Sequence, residues 1–156
     1  MGPSLVLIAG LPGAGKSTLA RALGHALPAV RLDGDAWLLG LGIDLHEEPP
    51  RDRIEILFWQ LTQQLLSLGV SVILESGFWL RADRDEKRLG ARALDVRVEL
   101  HHLDVPLDER WRRIGLRNQE QGWRSSPISY EQLASWDRFF EPPSEDELAL
   151  FDPPDR

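Results

Sequence analysis

The chain has no cysteine. Disulfides, thiolate nucleophiles and cysteine-ligated zinc are therefore excluded, and any metal must rest on oxygen or imidazole. Long apolar runs are missing too. Nothing approaches the ~18 to 20 residues that span a bilayer, and residues 5–9 are too short for a secretory core, so a soluble, cytoplasmic chain without a membrane partner is expected. Positive charge is in deficit, with 18 Lys and Arg against 25 Asp and Glu and a formal net charge of -7. General affinity for nucleic acid needs positive potential, so no nucleic-acid partner is expected, although local basic patches stay open. There is no repeat or low-complexity tract. At 156 residues the chain suits a single domain, 1–156, with one substantial core.

What is present is an alternation of apolar patterns. Residues 4–9 form a compact apolar run followed at once by glycine, the signature of a buried parallel strand. Leu19, Leu23, Ala26 and Leu27 then recur at helical spacing until Pro28. Val30 and Leu32 suggest a second strand, ending in the acidic turn Asp33, Gly34, Asp35. Residues 40–50 read as a loop. Ile54, Leu57, Phe58, Leu61, Leu65 and Leu68 trace one face of a long helix that ends at Gly69.

Strands are expected at 70–74 and 96–103, with an exposed, charge-rich helix at 81–93 between them. A helix after Pro106 has Leu107, Trp111 and Ile114 as its buried stripe. Residues 119–127 read as a mobile loop. Ser129 with Gln132 matches a capping box, opening a helix through about Phe140, and residues 148–151 are a candidate fifth strand. Strands alternating with helices imply a parallel sheet with right-handed crossovers, hence a three-layer α/β fold.

One motif decides the class. Gly10-Leu11-Pro12-Gly13-Ala14-Gly15-Lys16-Ser17-Thr18 satisfies G-x-x-x-x-G-K-[ST] between an apolar strand and a helix. In such a loop backbone amides curl round phosphate oxygens and the helix N-terminus adds its positive end. Lys16 reaches the β- and γ-phosphates, and Ser17 ligates Mg²⁺. The expected ligand is ATP, with GTP open. Carboxylates at the neighbouring strand ends have a natural task in phosphoryl transfer, to accept or orient a hydroxyl proton. Asp33 and Asp35 both stand there, or else simply cap the turn. Glu75 closes the third strand, where a carboxylate binds Mg²⁺ through water or orients the acceptor.

The P-loop, the Leu32-Asp33-Gly34-Asp35 turn, the segment from Leu74 to Trp79, and Leu103-Asp104-Val105-Pro106 with Arg113 and Arg117 together carry a resemblance. They resemble the predicted-kinase or "AAA family ATPase" group, which is similar to chloramphenicol phosphotransferase, zeta toxins, the polynucleotide 5′-kinase domain and adenylylsulfate kinase. The likeness runs from about residue 4 to 120. It implies a P-loop fold with about five strands in the order 2-3-1-4-5, ATP with Mg²⁺, and an arginine-bearing lid.

The resemblance also implies roles. Asp35 is favoured as the catalytic base, with Asp33 kept as the alternative. Arg113 and Arg117 become lid residues clamping the transferred phosphate, without a choice between them; helical geometry places them on one stripe with Arg110. Glu75 departs from the aspartate more common at its position, which weakens direct metal contact. Arg84 best matches a family arginine in the acceptor pocket. Trp37, Phe78 and Trp79 flank the phosphate-facing strand ends and pack either an acceptor ring or the core. His46, His101 and His102 lack a metal-ligand set.

The activity expected is transfer of the ATP γ-phosphate to a hydroxyl of a small molecule. A nucleoside or polynucleotide 5′-kinase and an NTP-hydrolysing switch without an acceptor are the alternatives. Oligomeric state and acceptor identity are not legible in the sequence.

Overall fold

Residues Ser4–Ala9 form β1, and all six are buried. With alternating side chains on opposite faces, Leu5 and Leu7 enter one apolar layer and Val6 and Ile8 another, so the strand must be covered on both sides. The computed structural model supplies that cover and describes residues 2–120 and 126–154.

The order after β1 is α1 (Lys16–Ala26), β2 (Ala29–Leu32), α2 (Gly34–Gly40), α3 (Glu48–Ser67), β3 (Ser71–Gly77), α4 (Arg81–Ala93) and β4 (Arg97–His102). Helices α5 (Leu107–Asn118), α6 (Tyr130–Trp136) and α7 (Glu145–Leu148) follow. The strands pair in parallel in the order β2-β3-β1-β4. Helix α1 packs on the Val6, Ile8 and Ile73 face, whereas α3 and α4 cover Leu5, Leu7 and Leu74. A third cluster of Ile114, Ile128 and Leu133 joins α5 to α6.

Register is regular except at one place. Leu7 pairs with Leu74 but Ala9 pairs with Gly77, so β3 carries one extra residue around Glu75 and Ser76. A bulge re-aims side chains. It falls at the C-terminal edge of the sheet, where the Gly10 N–H donates to the Gly77 carbonyl at 2.9 Å.

The structure differs from the sequence reading in several elements. Residues 148–151 form no fifth strand among the described residues. Ser144 caps α7 by accepting the Glu147 N–H, and three acidic residues fill the first turn, both of which favour helix. Beyond it, the Asp152 N–H donates to the Val98 carbonyl at 2.8 Å, but Pro153 and Pro154 have no N–H with which to continue a ladder. Helix α3 starts at Glu48 rather than beyond residue 50, because Pro49 and Pro50 sit in its first turn, where their missing N–H groups cost nothing.

On α3 the buried positions are Ile54, Phe58, Thr62 and Leu66; Leu57 and Leu68 face solvent. The acidic turn after β2 is in fact the start of the short helix α2. Helix α6 has its capping box, with the Ser129 and Gln132 side chains each accepting the other's backbone N–H, but it ends at Trp136. Tertiary partners draw the chain away there: Asp137 accepts from Arg110 at 2.6 Å, and the Glu141 N–H donates to the Trp79 carbonyl. Of the segment read as a mobile loop, residues 121–125 lie outside the described residues.

Candidate phosphate-binding cleft

The phosphate loop is shaped by close approach. Gly13 has φ +84°, and a Cβ there would stand 2.8 Å from the Arg110 carbonyl oxygen, so α5 lies against the loop only because no side chain intervenes. Gly15 precedes α1 with φ 93° and contributes no side-chain cap, leaving the first amides of α1 directed at the cleft. The Lys16 Nζ donates to the Gly10 and Leu11 carbonyls at 3.0 and 3.1 Å. Desolvation pulls the Lys16 pKa down to about 8, with Arg117 and Arg51 adding to the effect and Asp35 opposing it.

This loop forms one end of a cleft of about 850 Å³. Pro12, Gly13, Gly15, Lys16, Ser17 and Thr18 line that end, while Leu11 and the buried Ala14 brace the turn through the Ala14 N–H to Leu11 carbonyl bond of 3.1 Å.

The cleft brings Asp35, Glu75, Phe78, Trp79, Arg113 and Arg117 together with the loop. Asp35 accepts from Arg51 Nη2 at 2.9 Å, and that guanidinium is itself anchored on the Leu45 carbonyl. Glu75 accepts twice from Arg31, at 3.1 and 3.0 Å, through one oxygen. Desolvation, then the negative charge of Asp33, push the Glu75 pKa up, while Arg31 and the Ser17 hydroxyl act in the other direction.

No group of three or more His, Asp or Glu among the described residues could hold a metal alone. The residues nonetheless fit Mg²⁺. The other Glu75 oxygen, Oε1, is buried and meets no hydrogen-bond partner of good geometry among the described residues, and the Ser17 hydroxyl acts on the same carboxylate. A hard cation that keeps water and phosphate ligands needs only one or two such oxygens from protein.

Other expected site residues lie elsewhere. Asp33 caps α2, accepting from the amides of Asp35 and Ala36 at 3.0 and 3.3 Å, and desolvation raises its pKa. Trp37 stands outside the cleft lining, half-exposed, with its ring edge-on to Phe58 at 4.9 Å. Arg84 is the clearest departure. It is 0% exposed, bound by both oxygens of Glu147 at 2.6 and 3.0 Å, and it donates to the Phe78 carbonyl at 2.8 Å. It holds the β3–α4 turn from behind instead of lining an acceptor pocket. Arg110 also leaves the stripe expected with Arg113 and Arg117, because it is buried against Val105 and Asp137. Arg113 donates to the Gly13 carbonyl at 3.1 Å, and desolvation lowers the pKa of the half-buried Arg117.

The far end of the cleft was invisible to motif reading. Glu55 and Trp59 from α3, Asp83 and Lys87 from α4, and Trp136 from α6 line it, and Arg51 joins them to Asp35. Only the spacing of Arg51, Glu55 and Trp59, one helical turn apart each time, hinted at a shared face.

Three solved structures show the same fold. A chain of the Pnkp1/Rnl/Hen1 RNA repair complex is 22% identical with a TM-score of 0.72, over 88% of this chain and 44% of that one. A gluconokinase from Sinorhizobium meliloti 1021 is 18% identical, TM-score 0.63, covering 92% and 78%. Kti12 from Chaetomium thermophilum, in complex with ADP-AlF3, is 17% identical, TM-score 0.71, covering 90% and 81%. The chain thus spans under half the length of the RNA repair chain it matches. No curated protein matches it. A family model described as an AAA domain matches residues 5–143. That match takes in the loop, all four strands and the arginines of α5, and the chain belongs to the AAA domain family.

Proposed function

We propose that the chain transfers the γ-phosphoryl group of ATP to a hydroxyl of a small-molecule acceptor. The observation that carries this reading is one continuous cleft with the phosphate loop at one end, an aromatic-walled chamber at the other, and Asp35 on its lining. A switch that only hydrolyses nucleotide has no use for the second chamber.

In this reading the acceptor oxygen bonds to the γ-phosphorus as its proton passes to Asp35. The bond from that phosphorus to the β,γ-bridging oxygen breaks, and its electron pair leaves with ADP. Lys16 and the α1 amides hold the β- and γ-phosphates, and Arg113 and Arg117 neutralise charge on the group in flight. Bound Mg²⁺, held by Ser17 with Glu75 behind it, would neutralise β- and γ-oxygens. GTP fits the same scheme, since the loop reads phosphate and not base.

The test is γ-labelled ATP offered with pooled metabolites, antibiotics and 5′-hydroxyl oligonucleotides. Label on a small molecule supports the proposal. Label only in free phosphate would establish the switch instead, and label on oligonucleotide ends would establish a polynucleotide kinase.

A further inference from the structure

The two ends of the cleft have opposite charge. Lys16, Arg113 and Arg117 face the phosphate end. Away from the loop the described lining residues include Glu48, Glu55 and Asp83, with Lys87, Arg51 and His46. Arg51, one turn before Glu55 on α3, is paired with Asp35 at 2.9 Å and also acts on Glu55. Neither Glu55 nor Asp83 closes an ion pair among the described residues, whereas Lys87 is engaged by Glu86 at 3.1 Å.

Indole rings wall the same space. Trp59 is held in place by close packing, since a Cβ on Gly90 would stand 2.4 Å from its Cζ2, and Lys87 Nζ lies 4.9 Å from its ring centroid. Trp79 and Trp136 lie with centroids 6.0 Å apart and planes tilted by 47°, and His46 stacks on Trp136 at 6.1 Å. Glu55 and Trp59 lie one turn apart on α3, so that carboxylate and that indole share a helix face, while Trp79 stands just before α4 and Asp83 in its first turn. Indole faces and unpaired carboxylates both attract cations.

We infer that the acceptor carries a positive charge: an amine-bearing hydroxyl compound such as an amino sugar, its ammonium seated between Glu55 and Asp83 against the indole walls and its hydroxyl directed to Asp35. The inference rests on the phosphotransfer reading and narrows its substrate class. The Glu55 pKa agrees: desolvation first, then the charges of Asp52 and Asp83, raise it against Arg51 and Lys87. A bound ammonium relieves that crowding.

The test uses matched probes. D-Glucosamine, D-glucose and D-gluconate differ by an amine, nothing or an acid, and kanamycin supplies several amines. Each is titrated into the full chain by calorimetry, with and without Mg²⁺ and a non-hydrolysable ATP analogue, and each is offered as acceptor to γ-labelled ATP. The expected result is binding and labelling that favour the amines and weaken with salt. Glu55→Gln with Asp83→Asn should reduce amine affinity about tenfold or more, the size of a lost charge-assisted contact, while nucleotide affinity stays unchanged. A preference for glucose or gluconate, no binding of either amine, or full retention in the double variant overturns the inference. Failure to bind the nucleotide analogue, by contrast, overturns the phosphotransfer reading and leaves the amine result to be judged from the titrations without nucleotide.

Discussion

The phosphate end and the acceptor end of the cleft are built by different means. Residues 10–18 are contiguous, and their geometry follows from local chemistry: glycines at positive φ, a helix start, a lysine folded over the turn. The acceptor end draws on α2, α3, α4 and α6, and its supports reach across the whole chain. Arg84 and Glu147 are 63 residues apart, and Asp44 and Ser126 are 82 apart. A loop coded locally is shaped by its own neighbours, while a chamber assembled from distant helices depends on contacts across the whole fold.

The sharpest way to break this comparison is at the loop. Lys16→Ala should cut turnover on the order of 10²- to 10³-fold, the cost of one lost charge-stabilising donor, and weaken nucleotide binding, with circular dichroism unchanged. Retained nucleotide affinity and activity would remove the phosphate end from the scheme. Asp35→Asn probes the boundary between the ends. It should leave nucleotide bound and cut transfer by ~10² to 10⁴-fold, the usual contribution of a general base. Unimpaired transfer would move the role to Asp33 or Glu75.

Glu147→Ala addresses the scaffold of the acceptor end. It leaves the guanidinium of Arg84 buried and uncompensated, for a stability loss of about 3 to 5 kcal/mol in denaturant unfolding. It should also loosen Phe78, which Arg84 holds by its carbonyl at the non-glycine φ of 48°. A loss below about 1 kcal/mol, the scale of an exposed ion pair, would mean that the turn is held by other contacts. Gly13→Ala is the matching experiment at the loop: with φ +84° and the Arg110 carbonyl 2.8 Å from the new Cβ, it should cost on the order of 1 to 3 kcal/mol and reduce nucleotide affinity before acceptor affinity. Equal losses at both ends would show that the two are not separable.

The smallest expected effect is a pH dependence. Asp44 accepts from the amide and hydroxyl of Ser126 and the amide of His46, and its pKa is lowered to about 2. Because the folded pKa lies below the ordinary carboxylate value, the clasp is complete above about pH 4 and is lost as pH falls towards 2. Hydrogen exchange at Ser126 should accelerate across that window relative to other amides of the chain. In Asp44→Asn the window should vanish, and an identical profile in the two proteins would count against the clasp.

By itself the sequence determined the elements whose cause is local. The apolar run of β1, the glycines and lysine of the loop, the capping box of α6 and the buried stripe of α5 all follow from residues within a few positions of one another. Only the tertiary structure decided the rest. Arg84 was expected in the acceptor pocket from its match to a family arginine, and nothing near it in sequence reveals Glu147; once that carboxylate is buried beside it, the ion pair claims the side chain. The candidate fifth strand was lost to local signals instead: Ser144 and an acidic first turn open α7, which takes in Leu148, and the prolines beyond Asp152 cannot extend the sheet. Arg51 became the partner of Asp35 once α2 and α3 were packed together. A side chain's propensity is settled by its neighbours in sequence, but its role depends on which distant charge or backbone group the fold brings within about 3 Å.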